Sequence, residues 1–171
     1  LPPGISQDFY AECISMAKNK GKKVILDADG EALQKGLKSI PFAVKPNTHE
    51  FELLTGQKFS NKVEIIREVK KLIDTGIEIV IISMGPDGAI VADNNEIYQV
   101  NTWNVEVRNA TGAGDAMVAA LAFSLFKSYS LYEIAQITTA TATNTVSKSG
   151  TQFCTLDEVL QSLKYVTATK I

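Results

Sequence analysis

Histidine, cysteine and tryptophan are all scarce in this sequence, and neither sign of charge dominates it. The single histidine, His49, excludes a multi-histidine metal centre and reads as a partly exposed helix residue rather than a catalytic base. Cys13 and Cys154 lie far apart with no C-x-x-C spacing, which favours two reduced, half-buried thiols over a metal or redox pair. With 17 basic and 19 acidic residues the net charge is −2, so no global field draws in nucleic acid. An anionic ligand would have to be held by backbone amides, helix termini or a metal. The longest apolar run, Ala116 to Phe126, is broken by Ser124 and is too short to cross a bilayer. The first residues show no export signal, and the expected compartment is the cytoplasm. There is also no initiating Met: Leu1-Pro2-Pro3-Gly4 reads as a loop, as if the chain were the later part of a longer protein.

What is present is a globular composition, 45% hydrophobic and 21% charged, in 171 residues, the size of one ordinary domain. Helical spacing of Phe9, Ala11, Ile14 and Ala17 predicts a helix over 7–19. Val24-Ile25-Leu26 and Phe42-Ala43-Val44 read as short buried strands on either side of a short helix carrying Ala32, Leu33 and Leu37. Thr48 is the expected cap of a helix closed by Gly56, and Asn61 the cap of a longer helix closed by Gly76. The run 77–82 is β-branched and predicts a strand. Stretches 88–92 and 96–100 flank Asp93-Asn94-Asn95 as a hairpin, and 103–107 alternates as a further strand. Helices are expected from about Gly114 to Phe126 and from Leu131 to about Val146, where the Thr-Ala run also admits a strand. A last helix is expected after the Thr155 cap. Alternating strands and helices point to an α/β fold with a mostly parallel sheet, in which ligands gather beyond the carboxyl ends of strands. Residues 1–171 are expected to form one partial domain.

Three segments sit at such ends. Thr111-Gly112-Ala113-Gly114-Asp115 is the most informative. Its glycines let the backbone approach a ligand and aim several amides at it, and the helix that follows adds the positive end of its dipole. Asp115, in the first turn, could orient and deprotonate an attacking hydroxyl while the amides of Gly112, Ala113 and Gly114 stabilise a moving phosphoryl group. The plainer alternative is a tight turn followed by a favourable N-terminal aspartate. Neither a dinucleotide fingerprint nor a Walker A loop fits, because Met117 occupies the place of a third glycine and no Gly-Lys-Ser/Thr is present.

Asn47 and Glu50, three apart at a helix start, could hold waters around Mg²⁺, or could simply cap the helix. Lys45 could reach a nucleotide phosphate. Ser83-Met84-Gly85-Pro86-Asp87-Gly88 offers a hydroxyl and open backbone, and by itself equally suits a tight strand connection.

Taken in order, Asn47-x-x-Glu50, Ser83-x-Gly85-x-x-Gly88 and Thr111-Gly112-Ala113-Gly114-Asp115 resemble the motifs of the PfkB (ribokinase-like) carbohydrate kinases. Val24-Ile25-Leu26-Asp27, Gly30-Glu31-Ala32-Leu33 and Val44-Lys45-Pro46-Asn47 are similar to the branch of that family acting on sugar phosphates. The resemblance implies a three-layer α/β/α fold lacking its N-terminal portion and lid. It implies Asp115 as catalytic base, with Gly112, Ala113 and Gly114 as the anion hole. Asn47 and Glu50 would serve Mg²⁺, and Lys45, Asn47, Ser83, Gly85, Gly88 and Asn144 would bind ATP. The implied reaction phosphorylates the free primary hydroxyl of a ketohexose phosphate, fructose 1-phosphate ahead of tagatose 6-phosphate. Sugar phosphate and ATP are the implied partners, without nucleic acid or membrane, and a homodimer is the implied assembly of the full-length protein. The contrasting expectation is a nucleotide-binding fragment without turnover, since the family's first half carries most sugar contacts. Asn109 departs from the family, many of whose members carry Asp there beside a monovalent-cation site.

Overall fold

The computed structural model describes residues 1–171, which gather into two compact units: Leu1–Ile82 with Ala92–Asn95, and Ser83–Val91 with Glu96–Ile171. No helix is long and apolar enough to cross a membrane.

The first unit runs α1 (Phe9–Asn19), β1 (Ile25–Leu26), α2 (Gly30–Lys38), β2 (Ala43–Val44), α3 (Thr48–Thr55), α4 (Lys62–Asp74) and most of β3 (Ile79–Ser83). Its strands lie side by side in chain order and parallel, with Leu26 beside Val44 and Val44 beside Val80. Parallel neighbours need a crossover, supplied by α2 between β1 and β2 and by α3 with α4 between β2 and β3. Strand residues Val44, Val80, Ile81 and Ile82 are wholly buried, as their unbroken apolar runs predict. Helix α1 packs on α2, and Ile14, Leu33, Phe51 and Val69 give the helices their core faces.

One expected cap is displaced. Asn47, not Thr48, caps α3, because its side chain reaches the Glu50 amide while the Glu50 carboxylate returns to the Asn47 amide. Asn61 caps α4 as expected.

The second unit holds β4 (Ala89–Ala92), β5 (Ile97–Asn101), α5 (Ala113–Phe126), α6 (Leu131–Val146), α7 (Leu156–Ser162) and β6 (Thr167–Lys170). The hairpin β4–β5 forms where the turn residues predict it, and β6 extends it antiparallel to β5, with Asn101 beside Thr167 and Tyr98 beside Lys170. Residues 103–107 are not a strand. The segment has no sheet partner; Trp103, Asn104, Val105 and Val107 border a cavity instead. The Thr-Ala run is helical within α6, which packs against both α5 and α7.

Candidate active site

In the second unit the chain leaves β3 into a tight 3₁₀ turn, Gly85–Asp87, closed by the Met84 amide donating to the Gly88 carbonyl at 2.8 Å. Gly88 has φ +84°, and a β-carbon there would stand 1.9 Å from the Val100 carbonyl oxygen. Only glycine allows the turn to lie this close to β5.

The start of α5 is built from the other side. Asn109 accepts from the Thr111 amide at 2.9 Å and donates to the Gly150 carbonyl, while the amides of Arg108 and Asn109 both donate to the Val146 carbonyl at the end of α6. These bonds fix the approach to Gly112, which caps α5 at φ +85°. Ala113, Gly114 and Asp115 form the first turn, where the Gly114 and Asp115 amides have no carbonyl to bond within the helix. They are the donors an anion would meet, reinforced by the helix dipole. Asp115 is solvent-exposed and the next residue, Ala116, is buried; Asp115 adjoins the cavity-lining Gly114 in sequence but is not itself among the lining residues.

Both segments border one cavity of about 340 Å³, within the range of small-ligand sites. Ser83, Gly85 and Gly88 contribute from the turn after β3, and Ala113 and Gly114 from α5. The remaining wall is mainly apolar, with Trp103, Val105 and Met117 among its residues. Thr139, Ala142, Thr143 and Val146 line it from α6; their i, i+3, i+4, i+7 spacing marks a single helix face. That stripe and the 103–107 alternation were the signals that could have revealed the wall. Asn144 lies off the stripe and does not line the cavity; its amide donates to the Ala140 carbonyl at 3.0 Å and to Ser162 Oγ at 2.7 Å, tying α6 to α7.

The first unit carries a separate polar cluster. Lys45, directly after β2, is 4% exposed, and its Nζ lies 3.3 Å from Asp27 Oδ1 directly after β1. No local pattern in the sequence marks Asp27 as the partner of Lys45. Its pairing follows from the parallel register, which the Lys45 amide extends by donating to the Leu26 carbonyl at 3.2 Å. Asn47 and Glu50 form a full capping box: the Glu50 amide donates to Asn47 Oδ1 at 2.9 Å and the Asn47 amide to Glu50 Oε2 at 2.8 Å. The box engages the only side-chain oxygen of Asn47 and one of the two carboxylate oxygens of Glu50. The structure gathers no three His, Cys, Asp or Glu residues able to enclose a metal. His49, beside it, is exposed.

Residues 1–158 match the pfkB family of carbohydrate kinases. The chain is 35% identical over 168 residues to 1-phosphofructokinase of Haemophilus influenzae, covering 96% of this chain and 54% of that protein. It is 38% identical over 128 residues to tagatose-6-phosphate kinase of Staphylococcus epidermidis, covering 73% of this chain and 41% of that protein. Among solved structures, phosphofructokinase-2 of Escherichia coli superposes with a TM-score of 0.91 at 29% identity, covering 96% of this chain and 54% of that one. The chain spans about half the length of the curated relatives it matches. Its ribokinase-like α/β fold and its ordered motifs thus agree with the sequence match, and the chain belongs to the pfkB family of carbohydrate kinases.

Proposed function

We propose that this chain is the nucleotide-binding and catalytic part of an ATP-dependent sugar-phosphate kinase. The observation that carries the reading is one cavity bordered both by the glycine turn after β3 and by the anion-attracting start of α5, with Asp115 next to it in sequence. ATP places its base and ribose along the apolar wall and its phosphates toward the α5 amides. Asp115 accepts the proton of the sugar's primary hydroxyl as that oxygen bonds to the γ-phosphorus. The bond between the γ-phosphorus and the β,γ-bridging oxygen breaks, and ADP leaves with that bond's electron pair. The free Gly114 and Asp115 amides, with the Gly112 amide beside them, stabilise charge on the transferring group, while the Ala113 amide donates to the Ala110 carbonyl at 3.4 Å.

Lys45 is assigned to a nucleotide phosphate. Asn47 and Glu50 would hold Mg²⁺ through its waters, and the ion when bound would neutralise phosphate charge. The acceptor is a ketohexose phosphate, fructose 1-phosphate first, supported by relatives named 1-phosphofructokinase at 35% and 33% identity. Tagatose 6-phosphate is the second reading, supported by the relative named for that sugar. A coupled ADP-release assay on a full-length form, offering each sugar phosphate in turn, tests the proposal. Turnover with fructose 1-phosphate at the higher kcat/KM is expected. The opposite order would move the assignment to the second sugar, and turnover with neither would remove it.

A further inference from the structure

Helix α6 treats its threonines uniformly, with one exception. Thr138, Thr141, Thr143 and Thr145 each donate to the carbonyl four residues earlier, at 2.7, 2.7, 2.9 and 2.8 Å. These local bonds satisfy hydroxyls that would otherwise be buried without a partner. Thr139 makes no such bond. It is 2% exposed, and its Oγ1 has no hydrogen-bond partner anywhere in the protein. Ser124 Oγ is the other buried oxygen in this position, but Ser124 does not line the cavity, whereas Thr139 does.

The surroundings of Thr139 sharpen the point. Met117, Ala142 and Val146 present hydrocarbon to the same cavity. Its other α6 hydroxyl, Thr143, is already engaged, lying 2.5 Å from Thr102 Oγ1. No charged side chain lines the space. An unsatisfied buried hydroxyl in a mostly apolar wall is a cost to the folded chain unless something that enters the cavity completes it.

We propose that the Thr139 hydroxyl is the base-reading group of this cavity, exchanging a hydrogen bond with the edge of the nucleobase. The inference rests on the nucleotide reading given above. A hydroxyl both donates and accepts, so the same group can serve a 6-keto or a 6-amino purine. With hydrocarbon around it, the cavity discriminates little between the two.

Calorimetry on the whole chain with non-hydrolysable ATP and ITP analogues tests this, using wild type, Thr139→Val, Thr139→Ser and the cavity-filling Ala142→Leu, with a melting curve for each. Wild type should bind the two analogues within about tenfold of one another. Thr139→Val, which keeps the shape and removes the hydroxyl, should weaken both by about five- to twentyfold. It should also raise the melting temperature of the unliganded chain, because the orphan oxygen is gone. Thr139→Ser should bind like wild type, and Ala142→Leu should bind far more weakly. Unchanged affinity in Thr139→Val, or a wild-type preference above about a hundredfold for one base, overturns the role of Thr139 while the cavity keeps its nucleotide. Wild-type affinity in Ala142→Leu, or no binding by wild type, overturns the nucleotide reading and this inference with it.

Discussion

The Lys45 ammonium lies 3.3 Å from the Asp27 carboxylate, and Lys45 itself is 4% exposed. A buried cation is costly unless paired, so the two residues at the ends of adjacent parallel strands stabilise each other unequally. Asp27→Ala strands the ammonium, and we expect it to cost about 1–3 kcal/mol, the partial exposure of Asp27 reducing the effect. Lys45→Met removes the charge itself and should cost less stability while weakening nucleotide affinity. Urea denaturation of both variants checks the order. A larger loss in Lys45→Met would make the lysine stem, not its charge, the main contribution.

The capping box and the metal role of Glu50 separate by substitution. Gln at position 50 keeps an oxygen for the Asn47 amide, so Glu50→Gln should leave the melting temperature nearly unchanged, whereas Glu50→Ala should cost on the order of 1 kcal/mol. If the carboxylate also organises Mg²⁺, Glu50→Gln in a full-length form will need more Mg²⁺ for half-maximal rate. An unchanged Mg²⁺ titration returns the pair to capping alone.

Two glycines with nearly equal φ should respond differently to alanine. At Gly88 the new β-carbon meets the Val100 carbonyl oxygen at 1.9 Å, so overlap adds to backbone strain and more than about 2 kcal/mol should be lost. At Gly112 the nearest atom is Phe153 Cε1 at 3.4 Å, leaving strain alone, about 1–2 kcal/mol. Gly112→Ala should therefore fold while losing turnover, through distortion of the α5 start. Thermal melts and a kinase assay on each variant give the comparison; equal destabilisation would contradict it.

Acid should loosen the last helices. The Lys148 ammonium, followed by the Thr155 amide, holds the Glu158 carboxyl below its ordinary value of 4.5. The Ser130 hydroxyl and amide do the same for Glu133 at the start of α6. A folded value below the unfolded one contributes stability that is complete above the ordinary value and is lost as pH falls through the folded one. The melting temperature should therefore fall below about pH 4.5, and less steeply in Glu158→Gln. Parallel slopes for variant and wild type would show that Glu158 contributes nothing on the acid side.

Local patterns were legible where one residue type had one reason to be present. The apolar run ending in β3, the Asn61 cap and the Gly112-Ala113-Gly114 turn all lie where residue chemistry predicts them. Misreadings arose where two causes share a pattern. Residues 103–107 alternate in polarity yet border a cavity with Asn104 as well as Trp103, Val105 and Val107, and alternation alone cannot distinguish such a segment from a strand. Thr48 and Asn47 are both good caps, and Glu50 decides between them only through its return bond. Strand β6 was missed because Thr167–Lys170 is short and mostly exposed, its place set by pairing with β5 and by Lys170 reaching Glu96 at 2.6 Å. The Asp27–Lys45 pair depends on strand register, which no local window contains.

Asp115 is proposed as the base that readies the acceptor hydroxyl. Steady-state kinetics of Asp115→Ala in a full-length form, together with calorimetric affinity for an ATP analogue, decide the role. Asp115 occupies the first turn of α5 and is exposed, so its removal should leave the fold and the apolar base wall intact. Without this carboxylate kcat should fall on the order of a hundredfold or more, with ATP affinity changed by less than about threefold. A variant that keeps more than about half of the wild-type kcat would contradict that role.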